Sequence, residues 1–316
     1  MHALLNRRTI TQSPPPLDTP LESALLESAT QSVASLETAK NTPALPFSNR
    51  GFLIGDGVFT TLLAIDGAPQ HWAAHCERLK RDAEVFRLSF NEVGLYDAVK
   101  MLLALNSLTT GLARVRITLT RENTSLGSTL SGAPIPCPSH ASPLRLNGTE
   151  QPIELITATP YAPPQTPVRL TISSIPRGIP GLLTQTKHLG YQAAFLSVME
   201  ATDKGYDDAL MLNHYGRVVS ATTANLFVRV RDQWITPPIN EGALPGIMRQ
   251  HILNQHTIPD HIMKEKPITV ADLQDTSAAF ITNCLIGIRP IAYIDDVQLN
   301  MNHPDINRMR HQLIQP

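Results

Sequence analysis

Residues 122–150 carry neither the two-residue alternation of a strand nor the three-to-four repeat of a helix. They are crowded with Ser, Gly and Pro, which favour turns over regular elements. Connections of this length are uncommon inside a compact unit and read as a long loop or linker. The interruption sorts every regular element of the chain to one side or the other.

Ahead of it, Phe52-Leu53-Ile54, Gly55-Asp56-Gly57 and Val58–Leu63 read as strand, tight turn and strand. Ile65-Asp66-Gly67-Ala68 carries the Asp-Gly pair of a hairpin turn. A helix is expected over His71–Phe86, where Cys76, Leu79, Ala83 and Phe86 recur at spacings of three and four. A second helix is expected over Tyr96–Leu105 and a half-exposed strand over Ala113–Thr120. Beyond the interruption, strands are expected at Ile153–Thr159, Val168–Ser173, Asp208–Asn213, Val218–Ser220, Leu226–Val230, Gln233–Thr236 and Ala278–Asn283. Helices are expected at Tyr191–Lys204, Gly246–Asn254 and Val270–Asp275. The mixture predicts an α+β chain of two domains with a cleft between them. The small α/β domain covers residues 47–160, the crossing 161–166 and the larger domain 167–316. Residues 1–46, broken by Pro14-Pro15-Pro16, read as a mobile N-terminal extension with one short helix near Leu21–Lys40.

A chain of 316 residues can bury the cores of two ordinary domains. Its net charge of −1 gives no footprint for nucleic acid or an anionic membrane surface. No apolar run reaches the roughly 20 residues that span a bilayer. Cys76, Cys137 and Cys284 lie far apart and are odd in number, which fits a reducing cytoplasm better than a disulfide framework and gives no metal site.

Taken alone, Lys187 in Gln185-Thr186-Lys187-His188-Leu189-Gly190-Tyr191 is a surface charge. Its company alters that reading, because three other stretches look built to hold a phosphate. Gly246-Ile247-Met248-Arg249 opens a helix, so its first N–H groups are unpaired at the positive end of the dipole. Thr282-Asn283 ends a strand with hydroxyl and amide donors. Arg78 sits on the first helix, where a guanidinium can grip a phosphate through two bonds.

Together these stretches resemble the class IV pyridoxal-phosphate aminotransferases, the group that holds branched-chain and D-amino-acid aminotransferases and 4-amino-4-deoxychorismate lyase. The resemblance runs over roughly residues 48–295. It is carried by Asn49-Arg50-Gly51 with Gly55-Asp56-Gly57-Val58-Phe59-Thr60-Thr61, His75-Cys76-Glu77-Arg78-Leu79, Lys187-His188-Leu189, Asp207-Asp208-Ala209-Leu210, Asn225-Leu226-Phe227, Leu244-Pro245-Gly246-Ile247-Met248-Arg249 and Thr282–Pro290. It implies a D-amino-acid-aminotransferase-like fold with pyridoxal 5'-phosphate in the cleft and a homodimeric assembly. Lys187 would be the Schiff-base lysine. Arg78, the backbone of Ile247 and Met248, and Thr282 with Asn283 would cup the phosphate. Tyr191 is a candidate partner for the cofactor's phenolic oxygen, or else a core ring.

Three departures bear on the reaction. Where the family commonly has an acidic residue after the aromatic of its first block, this chain has Thr60-Thr61, and Met248 follows Gly-Ile at the phosphate helix. Both look like the lyase form. Ser220 stands where the family usually places a Glu on the protonated pyridine nitrogen. A neutral serine leaves the ring a weaker electron sink, which disfavours transamination more than loss of a good leaving group. The expected activity is lysis of 4-amino-4-deoxychorismate to 4-aminobenzoate and pyruvate, a folate precursor step. A branched-chain or D-amino-acid aminotransferase, or a degenerate member without turnover, stays open. Arg50, Arg177 and Arg289 are candidates for the substrate carboxylate.

Overall fold

The computed structural model describes residues 2–5, 8–11, 49–121, 152–254 and 263–314. Two sheets organise them. The first runs in the order β2-β1-β6-β5-β3-β4. It is built from β1 (His2–Leu5), β2 (Arg8–Thr11), β3 (Gly57–Ile65), β4 (Ala68–Pro69), β5 (Leu112–Thr120) and β6 (Ile153–Pro160). Helices α1 (Arg50–Ile54), α2 (Trp72–Val85) and α3 (Leu95–Leu105) belong to the same half. Leu62, Leu79, Leu102, Leu103 and Ile117 are fully buried in its core, so α2 and α3 cover one face of the sheet.

The second sheet contains β7 (Val168–Ile172), β8 (Asp208–Leu212), β9 (Arg217–Ala221), β10 (Asn225–Val230), β11 (Gln233–Thr236), β12 (Lys264–Glu265), β13 (Ile268–Thr269), β14 (Thr276–Asn283), β15 (Gly287–Ile294) and β16 (Val297–Gln298). Its order is β12-β11-β10-β14-β15-β7-β8-β9-β13, and Asn225 of β10 also pairs with Ser220 of β9. That extra pair closes β10, β14, β15, β7, β8 and β9 into a ring around Leu170, Leu210, Val218, Leu226 and Ile291. Closure removes free edges from the ring. Strands β7 and β8 run parallel, which demands a crossover. The crossover holds α4 (Leu182–Gln185), Lys187 and α5 (Gln192–Asp203). Helices α6 (Ile247–Asn254), α7 (Val270–Gln274) and α8 (Pro304–Ile314) complete the half, with Ile252, Ile306 and Met309 packed on Trp234 and Phe280.

Two differences from the sequence reading have physical causes. Phe52-Leu53-Ile54 is helical, not a strand, because Asn49 accepts the Phe52 N–H at 2.9 Å and Gly55 ends the turn at φ 71°. Part of the extension assigned to residues 1–46 is a sheet component: β1 pairs antiparallel with β6, and β2 with β1. Four-residue strands beside a proline-rich stretch leave too little alternation to read. The helix expected near Leu21–Lys40 and the stretch 122–150 lie outside the described residues. The Asp66-Gly67 turn is present, with φ of 48° and 70°, and joins β3 to β4.

Candidate active site

The backbone at Lys187 is held by the small half of the molecule. Phe59 N–H donates to Lys187 O at 3.0 Å and Leu189 N–H to Gly57 O at 2.9 Å, so the crossover runs beside β3. Lys187 N–H donates to Asp82 Oδ2 at 3.1 Å. His75, Arg78 and Asp82 recur at spacings of three and four on α2, which turns all three toward this junction. Burial pushes the Asp82 carboxyl up, against the Lys187 N–H and the guanidinium groups of Arg81 and Arg78.

The side chain of Lys187 is enclosed. Its Nζ donates to the Tyr191 hydroxyl at 2.8 Å and lies 4.5 Å from the centre of the Phe59 ring. Burial lowers its pKa, assisted by Arg78 and Arg116 and opposed by Tyr191. For Tyr191, burial alone would raise the hydroxyl's pKa, but Lys187, Arg177 and Arg78 more than offset it and the net direction is down. An amine and a phenol whose proton affinities are both lowered, one hydrogen bond apart, make a pair between which a proton can move.

Arg78 is 6% exposed, and its Nη2 donates to Thr60 Oγ1 at 2.8 Å. Thr60 Oγ1 shares a second bond of 2.7 Å with His75 Nδ1. Arg78 Nε and His75 Nε2 are buried without a partner. Burial, followed by Arg78, His71 and Lys187, holds His75 down at about 3, so it is neutral at ordinary pH. A carboxylate at position 60 would pair with Arg78 directly; threonine anchors the guanidinium and leaves its charge available.

A cavity of about 530 Å³ opens between the two halves. Phe59, Thr61, Arg78, Arg114 and Arg116 line it from one side, Lys187 and Tyr191 from the crossover, and Gly246, Ile247, Met248, Asn283 and Cys284 from the other. The first N–H groups of α6 have no partner within the helix, and this end of the helix lines the cavity through Ile247 and Met248. Gly246 lets Asn225 pack against the helix start: a Cβ there would fall 2.0 Å from Asn225 Oδ1, whose amide nitrogen donates to Leu244 O. An orphaned buried guanidinium nitrogen, a helix start that needs glycine and a lysine within the same cavity fit pyridoxal phosphate.

Of the residues expected here, Arg78, Lys187, Tyr191, Ile247, Met248 and Asn283 come together. Thr282 does not reach the cavity, because its hydroxyl donates to Gly287 O at 2.6 Å inside the β14–β15 hairpin. The Asn283 amide is engaged as well, its nitrogen donating to Thr223 O between β9 and β10 and its oxygen accepting from Leu285 and Ile286 N–H in the turn. Ser220 lies in a smaller recess with Arg177, Thr222 and Ala224, adjoining the cavity at Tyr191, Thr223, Asn225 and Leu244. Arg50 pairs with Asp56 at 2.6 Å and Arg289 donates to Thr166 O, so neither faces the cavity. Arg114, Arg116 and Cys284 are there without having been singled out. Their signal was in the alternation of β5, which turns Arg114 and Arg116 to one face, and in the step after Thr282-Asn283.

A cofactor cleft between a small sheet and a closed larger one, with a half-buried lysine between them, defines a pyridoxal-phosphate enzyme of the D-amino-acid-aminotransferase-like fold. The family described as Amino-transferase class IV matches residues 57–294, and the chain belongs to it. Its cofactor is pyridoxal 5'-phosphate. The aminodeoxychorismate lyase of Vibrio harveyi is 24% identical over 260 residues, covering 82% of this chain and 91% of the lyase. Among solved structures, the branched-chain aminotransferase of Thermoproteus uzoniensis superposes with a TM-score of 0.76 at 22% identity, covering 99% of this chain and 93% of that one. The 4-amino-4-deoxychorismate lyase of Pseudomonas aeruginosa gives 0.70 at 24% identity, covering 87% and 96%. Among the described residues no helix is long and apolar enough to cross a membrane, and no His, Cys, Asp or Glu group is placed to hold a metal ion.

Proposed function

We propose that this enzyme is an aminodeoxychorismate lyase, converting 4-amino-4-deoxychorismate to 4-aminobenzoate and pyruvate. The observation that carries the reading is the pair Arg114 and Arg116, side by side on β5 and facing the cavity that contains Lys187. Two cations suit a substrate with two carboxylates. Arg116 is held for the task, its guanidinium 3.6 Å from the centre of the Phe59 ring and its Nε donating to Thr118 Oγ1 at 3.2 Å.

Bound pyridoxal phosphate supplies an aldehyde carbon for covalent attachment and an aromatic ring that spreads the charge left by C–H cleavage. Lys187 provides the attaching amine and, once freed, the base for the proton on the amine-bearing carbon. Tyr191, bonded to Nζ, orients that amine. Arg78 and the start of α6 hold the phosphate end still. The C–O bond to the enolpyruvyl group breaks β to the amine-bearing carbon; the departing enol takes a proton to become pyruvate, and the ring becomes aromatic. The similarity to the Vibrio harveyi lyase over most of both chains supports this assignment. The exposed apolar side chains of Phe52, Leu182 and Phe195 support a homodimer, and the free thiols of Cys76 and Cys284 support a cytoplasmic setting.

A second reading is a branched-chain or D-amino-acid aminotransferase, favoured by the apolar wall of Phe59, Leu189, Leu244 and Leu285. One assay separates the two. Purified holoenzyme given 4-amino-4-deoxychorismate should release 4-aminobenzoate and pyruvate in equal amounts. No 4-aminobenzoate, with cofactor bound and amino groups passing from an amino acid to a keto acid, would replace the lyase by the aminotransferase.

A further inference from the structure

The recess beside the main cavity holds one charged side chain, and it is a cation. Arg177 lines it with Tyr191, Ser220, Thr222 and Asn225. The arginine is fixed at two points: its N–H donates to Leu212 O at 2.8 Å and its Nε to Gly242 O at 3.0 Å. A guanidinium carries five N–H donors and no acceptor, so most of its donors remain for other partners. Ser220 is buried, with its hydroxyl donating to Ala221 O at 2.7 Å, and a hydroxyl can turn that proton elsewhere.

The nearby carboxylates are already hydrogen-bonded, Asp208 through the recess residue Thr222. Asp208 accepts from the Thr222 hydroxyl at 2.6 Å and from Ala209 N–H at 2.8 Å. Glu241 accepts from Arg217 at 2.5 Å and from Asn213 at 2.7 Å. Neither lines the recess. The other ionisable groups toward this wall are Tyr191, bonded to Lys187, and His188, held down by burial and then by Arg177.

In the cofactor the ring nitrogen is para to the carbon bearing the aldehyde, so it points away from Lys187. With the phosphate at Arg78 and the start of α6, and the aldehyde carbon at Lys187, the ring nitrogen would lie toward the part of the wall that Thr223, Asn225 and Leu244 share with the recess. We propose that Arg177 and Ser220 form a donor-only wall that holds the ring nitrogen of bound pyridoxal phosphate in its unprotonated state. A guanidinium repels a pyridinium proton, and a serine hydroxyl offers no negative charge to retain it. A lone pair on the nitrogen can instead accept from either group. Arg177 thereby becomes a positioning residue for the ring and not a ligand for the substrate carboxylate. The inference rests on the cofactor occupying this cleft; it deepens the lyase reading by removing the charge a transaminase draws on.

The test loads the full-length protein with pyridoxal phosphate labelled with nitrogen-15 in the ring and reads the nitrogen chemical shift. At neutral pH the wild type should give the shift of an unprotonated pyridine. Ser220→Glu should move it to the pyridinium position, and Arg177→Met should raise the pH at which the signal changes. A pyridinium shift in the wild type overturns the proposal. So does an unprotonated shift whose titration is unchanged in Arg177→Met, the variant that decides if Ser220→Glu does not fold. Failure of the labelled ring to bind overturns it together with the cofactor site. An unprotonated shift in a protein that makes no 4-aminobenzoate supports the wall and sinks only the substrate assignment.

Discussion

Asp82 Oδ2 accepts the backbone N–H of Lys187 at 3.1 Å, so a helix of one half fixes the lysine that serves the other. The pairing spans 105 residues of sequence and is buried on the Asp82 side. Removing the acceptor leaves a buried N–H without a partner, which costs about 1–3 kcal/mol. Asp82→Ala should therefore lower stability to urea by that amount, while the two backbone bonds to β3 still hold the segment in place. Asp82→Asn keeps an acceptor and should recover most of the loss. An unchanged urea midpoint in the alanine variant would show that Lys187 is positioned without Asp82.

Arg78→Ala should weaken pyridoxal-phosphate binding by about 1.5–3 kcal/mol, the range of a charged hydrogen bond. Thr60→Ala, which removes the hydroxyl that anchors Arg78 Nη2 and bonds His75 Nδ1, should cost about 0.5–1.5 kcal/mol. Equilibrium dialysis against the cofactor checks both. Equal affinities for wild type and Arg78→Ala would take Arg78 out of the phosphate site.

How far the sequence reached can be seen in these residues. Arg78, Lys187 and Ile247 were legible because each belongs to a block whose order along the chain resembles a family. Regular elements with several periods, such as α2 and β3, were legible for a different reason, namely their burial pattern. Thr282 was misplaced because a hydroxyl at the end of a strand can turn outward to a ligand or back to Gly287 O, and spacing does not separate the two. Arg114 and Arg116 escaped notice because alternate arginines on a half-exposed strand look the same whether they face solvent or a cleft. Only the packing of the second half opposite β5 makes that face the inside of a site. The Arg177–Ser220 wall was illegible as a unit, since its members come from different elements and meet only when the ring of strands closes at Asn225 and Ser220.

Arg116→Leu should raise KM for a dicarboxylic substrate by about ten- to a hundredfold, a loss of about 1.5–3 kcal/mol, with cofactor binding unchanged. Arg114 is more exposed, and Arg114→Leu should raise KM by about five-fold or less. Steady-state kinetics beside cofactor titration separate substrate from cofactor effects. A fall in kcat at constant KM for Arg116→Leu would assign that side chain to the chemistry instead of the carboxylate.

His75 makes stability depend on acid. Its folded pKa is about 3 against 6.5 in an open chain, because burial and the Arg78 charge disfavour the imidazolium. Above pH 6.5 the imidazole is neutral in both states and its contribution to stability is fully present. As pH falls below that value, the unfolded chain takes a proton that the folded protein refuses until about 3. Stability therefore drops through this window, by at most about 1.4 kcal/mol per pH unit from this group. His71 and His188, also held down by burial, act in the same direction. His75→Asn should flatten the slope without abolishing it. Urea denaturation of both proteins at pH values within the window and above it gives the comparison, and parallel stability curves would show that His75 is free to take up its proton in the folded state.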